Sequence, residues 1–198
     1  GLRILRLIRF AAQLDWYIED SALASAKENA ALLKDISGER IFEELKLILT
    51  ADEKYSIPKR RGLGFHLMKM LECGIDKYVF RKADISEKEI SLCSKVKGDL
   101  TLRFAALLSG SGNIQDIMSG LKAPKQLVKD VTNIVNSFRM DTENDGDIKR
   151  LFISIGAGNS ERLIELNEKT GRKTDKLSAA YGFLKDRELL DGIKGLKV

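Results

Sequence analysis

From Pro124 onward, apolar residues return in one rhythm: Leu127, Val128, Val131, Ile134, Val135 and Phe138 stand at i, +1, +4, +7, +8 and +11. A helix gathers such positions on one face, whereas a strand would scatter them over both. The same period recurs along the chain. It organises residues 2–14 around Leu5, Ile8 and Ala12, with a turn at Asp15 and Trp16. An Ala-rich run through Leu33 follows, which Asp20 or Ser21 can cap. Ser37 is then placed as the N-cap of a helix over 39–49, with Glu39 in the first turn, where the helix dipole favours an anion.

Pro58 opens a helix carrying Leu63, Leu67, Met70 and Leu71 that ends near Gly74. Ser86 and Glu89 form a capping-box pair ahead of Ile90, Leu92 and Val96. Residues 100–108 make another apolar helix, closed by Ser109-Gly110-Ser111-Gly112. The acidic, polar stretch 141–147 marks a boundary, and helices resume over 148–155, 160–168 and 174–185. No segment of useful length alternates apolar and polar residues as a half-exposed strand would. Only two prolines interrupt 198 residues. The predicted fold is all-α, a multi-helix array with no substantial β-sheet.

With 43% hydrophobic residues the chain can bury a core and is not a disordered tail. Its net charge of +5 mildly favours a polyanionic partner, because phosphate contacts draw on local Lys and Arg clusters. No apolar run approaches the roughly 18–20 residues that cross a bilayer, so no membrane partner is expected. Cys73 and Cys93 sit in helical apolar patterns and read as reduced core residues of a cytoplasmic protein. One histidine and two cysteines provide no metal-ligand spacing, and a metal-dependent HD-type phosphohydrolase is excluded by that single histidine. His66 itself reads as a partly buried helix residue, and Trp16 and Tyr17 as anchors of the first turn.

Arg3, Arg6 and Arg9 recur every three residues and form a basic stripe along one side of the first helix, opposite Leu5, Ile8 and Ala12. A solvated face accounts for such a stripe. So does recognition of phosphates or base edges, for which the five-donor fork of arginine is suited. Lys59-Arg60-Arg61 is the densest basic run and carries the same two readings. Asp145-Gly146-Asp147 has the spacing of a carboxylate pair but reads as a turn between helices, and Gly156-Ala157-Gly158-Asn159 lacks the strand and lysine of a phosphate loop.

The string Leu2-Arg3-Ile4-Leu5-Arg6-Leu7-Ile8-Arg9-Phe10-Ala11-Ala12-Gln13-Leu14 resembles the neck helix of class II tRNA nucleotidyltransferases and bacterial poly(A) polymerases. There it follows a Glu-Asp pair, in Glu-Asp-x-x-Arg-x-x-Arg. A second marker, Ser37-Gly38-Glu39-Arg40-Ile41-Phe42-Glu43-Glu44-Leu45, is similar to the family's Ser-x-Glu-Arg-Ile-x-x-Glu-Leu. Residues 102–108 and 121–138 resemble the helical body of the CCA-adding type.

The resemblance implies a neck over residues 1–72, a body over 73–145 and the start of a helical tail over 146–198. It implies that Arg3 hydrogen-bonds the Watson–Crick edge of incoming CTP or ATP, and that Arg6 lines the same nucleotide pocket. Arg9, Lys59, Arg60 and Arg61 are the expected RNA-facing residues, the last three toward the tRNA acceptor arm and Arg9 as a structural or phosphate-facing neighbour. In the Ser37, Glu39 and Arg40 motif, Glu39 and Arg40 match an element that braces the templating helix. The Glu-Asp partners of Arg3 and the Asp-x-Asp that holds Mg2+ are not in this sequence. The expectation is therefore the neck and body of a CCA-adding enzyme without its catalytic head, inactive alone. A poly(A) polymerase fragment and a non-enzymatic helical RNA-binding module are the alternatives. Gly192-Ile193-Lys194-Gly195-Leu196-Lys197-Val198 resembles the lead-in to the family's tail domain.

Overall fold

The computed structural model describes residues 1–54, 60–140, 142 and 144–190, and every regular element among them is helical. Helix α1 (Leu2–Leu14) turns Leu5, Ile8, Ala11 and Ala12 inward and packs chiefly on α3 (Gly38–Leu49) and α5 (Gly62–Glu72). Between α1 and α3 lie α2 (Asp20–Glu28) and a 3₁₀ segment, Ala30–Asp35. Two one-turn helices, α4 (Ala51–Lys54) and α6 (Asp76–Val79), flank α5.

The middle of the molecule is α8 (Leu100–Leu107), packed against α7 (Glu87–Lys95), α10 (Lys125–Arg139), α12 (Ala157–Lys169) and α3. Leu102, Phe104, Ala105, Ala106 and Leu107 are fully buried there, and Phe104 stacks on Phe42 with ring centroids 6.1 Å apart. Helix α9 (Ile114–Gly120) packs on α10, and α11 (Asp145–Ile155) packs on α13 (Asp175–Lys185).

A guanidinium sits inside this core. Arg103 is buried, and a buried charge persists only where its donors are all met. Its Nη2 donates to Asp52 Oδ2 at 2.6 Å, its Nε to the Lys97 carbonyl at 3.2 Å, and its Nη1 to Asp52 Oδ1 and the Leu49 carbonyl. That one side chain ties the end of α3 and the start of α4 to α8. Asp99 makes the next tie: it caps α8 by accepting from the Leu102 amide and receives Arg162 of α12 in a fork at 2.9 and 2.8 Å. Burial pushes the Asp99 carboxyl up, but the Arg162 hydrogen bonds, the Leu102 amide and nearby cations outweigh it and leave its pKa lowered.

Several local expectations change. The Ala-rich run is not one helix, because α2 stops at Glu28, where the Asn29 side-chain amide donates to the Ser25 carbonyl and the chain tightens into 3₁₀ turns. Its N-cap is Glu19, before both expected caps; Asp20 and Ser21 are already helical, and Asp20 accepts the Tyr17 hydroxyl at 2.7 Å. Helix α9 was masked in sequence by the Ser-Gly run before it, yet Asn113 caps it through the Asp116 amide at 3.1 Å. Asp145-Gly146-Asp147 is the first turn of α11, not a loop, since the Asn144 side chain accepts from the Gly146 amide at 2.8 Å. Trp16 and Tyr17 do not pack into the core: they are 64% and 56% exposed, and Tyr17 holds the turn through its hydroxyl on Asp20. His66 is fully buried, not partly so, and both cysteines are buried and free. Pro58 and residues 192–198 lie outside the described residues.

Candidate functional site

The three arginines of α1 end up in three different states. Arg3 is exposed and makes no ion pair among the described residues. The Arg6 side chain is half-exposed, and its Nε donates to Glu44 Oε1 at 3.1 Å. Arg9 is mostly covered: its Nη1 lies 3.0 Å from Glu44 Oε2, and its guanidinium sits 4.4 Å from the Phe10 ring centroid. The Arg9–Glu44 contact is ionic without hydrogen-bond alignment, because neither Arg9 Nε nor Glu44 Oε2 has a hydrogen-bond partner.

Glu44 carries this arrangement. It lies among Ile41, Phe42, Leu45 and Ile48 on the buried face of α3 and is itself only 5% exposed. A buried carboxylate needs cations, and α1 presents two at the required spacing of three residues. Ser37, Glu39 and Arg40, the motif residues expected to brace the templating helix, stand exposed at the start of α3. Ser37 is the N-cap of α3, but its side chain makes no capping bond. The Glu39 carboxyl is lowered by its own backbone amide, by the Ser37 side chain and by Lys122 nearby. Sequence reasoning quoted Glu44 within the second marker but gave it no role; its spacing from Ile41, Leu45 and Ile48 was the available sign that it faces inward.

Gly38, in the same marker, is fixed by space. A Cβ there would stand 2.2 Å from the Gly120 carbonyl oxygen, so α3 can begin only where no side chain separates it from the end of α9.

The far end of α1 is held by Asp15, which sequence reasoning treated only as a turn residue. Asp15 adopts φ 53° and ψ 37°, a left-handed conformation tolerated by Asp and Asn. Its carboxylate accepts from the amides of Arg60 (2.7 Å), Arg61 (3.1 Å) and Gly62 (3.3 Å) and meets His66 Nε2 at 3.2 Å. Burial raises its pKa, but the Arg61 amide, His66 and the Arg60 and Gly62 amides outweigh that and lower it to about 2. Within the basic run, the Arg61 guanidinium folds back onto the Asp15 carbonyl at 2.8 Å, Arg60 is exposed, and Lys59 lies outside the described residues.

Among the described residues no group of three or more His, Cys, Asp or Glu side chains could hold a metal. Asp145 and Asp147 are taken up by Lys149 at 2.6 Å and Arg150 at 2.7 Å. Among the described residues the side chains thus do not fit a Mg2+ centre. Nor is any described helix long and apolar enough to cross a membrane.

The sequence and the all-helical fold both have counterparts among known proteins. Residues 17–57 match the family described as a probable RNA and SrmB binding site of polymerase A. The chain is 34% identical over 201 residues to the CCA-adding enzyme of Lactococcus lactis subsp. lactis (strain IL1403), a match covering 95% of this chain and 42% of that enzyme. It is 36% identical over 84 residues to a CC-adding tRNA nucleotidyltransferase of Geobacter sulfurreducens, 42% of this chain and 17% of that one. Its fold matches the crystal structure of the Bacillus stearothermophilus CCA-adding enzyme in complex with CTP at a TM-score of 0.69 and 20% identity, over 94% of this chain and 46% of that one. The chain belongs to the class II CCA-adding enzyme and poly(A) polymerase family. It spans less than half the length of the curated relatives it matches most fully.

Proposed function

We propose that this chain is the helical, RNA-facing part of a cytoplasmic tRNA nucleotidyltransferase that adds CCA to tRNA 3′ ends without a nucleic-acid template. In this reading Arg3 reads the Watson–Crick edge of incoming CTP or ATP, and Arg6 lines the pocket. Arg9 meets RNA only at its edge, while Lys59, Arg60 and Arg61 face the acceptor arm. Residues 1–72 act as neck, 73–145 as body and 146–198 as the start of the tail. The Mg2+ and the carboxylates that bind it belong to a separate head, so the chain alone incorporates no nucleotide.

The observation that carries the reading is the graded state of the stripe. A base reader needs donors that are unspent and yet aimed, since preorganised donors discriminate without further ordering. Glu44 pins Arg9 and tethers Arg6, which fixes the rotation of α1 about its axis. Arg3, one turn further toward the N-terminus, is left with its guanidinium open. A guanidinium so placed donates to ring nitrogens or carbonyl oxygens of a base edge, and losing one such contact costs about 1–3 kcal/mol.

The test is Arg3→Ala in a protein that joins these residues to a family head. Incorporation of CTP and ATP is expected to fall roughly 5- to 150-fold, the rate equivalent of that contact, with tRNA affinity unchanged. Equal loss of incorporation and tRNA affinity would make Arg3 a general phosphate contact instead.

A further inference from the structure

A groove of about 660 Å3 runs between the end of α9 and the first turns of α10. Lys122, Lys125 and Lys129 line it, and all three are exposed. None of the three ammonium groups makes an ion pair or hydrogen bond among the described residues. The acidic residues of the neighbouring elements are not paired with them: Asp116 turns toward Lys82 at 3.7 Å, and Asp130 accepts from Gln126 at 3.0 Å and Asn159 at 2.8 Å. Glu39 on α3 is the one that faces Lys122, and its pKa is lowered in part by that lysine.

Two further features point to an anion. Helix α10 is 15 residues long, begins at Pro124 with no side-chain cap and has no acid in its first turn. Its first helical bond runs from the Val128 amide to the Pro124 carbonyl, so the amides of Lys125, Gln126 and Leu127 point out of the helix end without acceptors in it. Thr132 Oγ1, also on the groove wall, is buried with no hydrogen-bond partner. The wall has no aromatic ring on which a base could stack.

We propose that this groove seats the phosphodiester backbone of an RNA strand, with Lys125 and Lys129, about 6 Å apart along the helix, taking neighbouring phosphates. The identity of the RNA as tRNA rests on the function proposed above; the phosphate chemistry does not. Position gives the groove its use. Helix α3 starts against Gly120 at the groove and reaches Glu44 beneath α1 about 9 Å further along its axis. The phosphate contact and the arginine stripe are thus mounted on one rigid rod, which sets the distance from the RNA backbone to the base-reading face.

The experiment uses the full chain and its Lys122→Gln, Lys125→Gln, Lys129→Gln triple variant, with circular dichroism melting to show that both fold. Binding of a tRNA acceptor-stem hairpin is measured by fluorescence anisotropy across a salt series. The variant is expected to bind about tenfold more weakly at moderate salt, with the slope of log K against log salt reduced by about 1 per lysine. Unchanged affinity and slope overturn the proposal while leaving the tRNA reading intact. A separate titration with inorganic tripolyphosphate, followed by the amide NMR shifts of Lys125, Gln126 and Leu127, needs no RNA. Shifts confined to these amides and absent in the triple variant support the groove even if the hairpin does not bind, which would sink the tRNA reading alone. No shift there overturns the groove.

Discussion

Two buried carboxylates hold α1, one at each end of its functional face, and they do opposite work. Glu44 accepts from Arg6 and pairs ionically with Arg9, and so orients side chains that reach the surface. Asp15 accepts mainly from backbone amides and so orients the chain entering α5. Side-chain donors can be loosened and still find water, because Arg6 is half-exposed. Backbone amides turned into a buried pocket cannot, so the Asp15 end should govern stability and the Glu44 end should govern the aim of the stripe.

The largest effect expected from this contrast is at Asp15. Asp15→Ala leaves inward-facing amides and His66 without their acceptor and puts a Cβ residue lacking a polar side chain at φ 53°. Destabilisation of about 3–5 kcal/mol is expected by chemical denaturation. Asp15→Asn keeps an acceptor oxygen and tolerates the left-handed backbone, so it should recover part of that loss. Full recovery would show that the carboxylate charge contributes nothing.

The same group sets an acid limb. Its folded pKa, about 2, lies below the ordinary value of 3.8. A depressed carboxyl stabilises the fold above its unfolded pKa and loses that contribution as pH falls through the folded one. About 2 kcal/mol should therefore disappear between roughly pH 4 and pH 2, and the Asn variant should lack that component. An identical pH dependence in both proteins would remove Asp15 from the account.

Glu44→Gln is the next test. It keeps the shape but removes the charge that both guanidinia share. Because Arg6 is half in water, the expected stability loss is modest, about 1 kcal/mol. Nucleotide incorporation by the head-bearing protein should fall by roughly tenfold or more, since small misplacements of a reading group are costly. A stability loss as large as that of Asp15→Ala, with no loss of incorporation, would reverse the comparison.

How much of this was legible follows from the same pair. Helix periodicity located α1, α5, α7, α8 and α10, because burial on one face writes a 3.6-residue rhythm into the sequence. The Ser86–Glu89 capping box was legible for a local reason: both partners lie within one turn. Glu44 was half visible, placed by a motif and by apolar neighbours, though its partners sit 38 residues away in Arg6 and 35 in Arg9. Asp15 was visible as a turn residue, but its role as an acceptor was not. Its partners are amides 45 to 47 residues distant, and an amide is contributed by every residue type but proline, so no pattern of letters announces it. Arg103 and Asp52 were missed for a related cause, since an arginine within an apolar helix reads as surface until its partner is placed.

The smallest effect should come from Trp16, next to Asp15 and opposite to it in character. Large aromatic residues at a helix end usually staple it, and the sequence suggested that role. At 64% exposure, however, the indole removes little apolar surface from water, and it is the Trp16 amide that serves the fold by closing onto the Ala11 carbonyl at 3.0 Å. Substitution keeps that amide. Trp16→Ala should therefore change unfolding free energy by less than about 0.5 kcal/mol, the range of ordinary surface positions. A loss above about 2 kcal/mol would mean that the ring packs in solution, and would shift to Trp16 part of the stability assigned to Asp15. A neutral result would leave the turn between α1 and α2 held by a carboxylate beneath it, with the aromatic ring free to meet a partner.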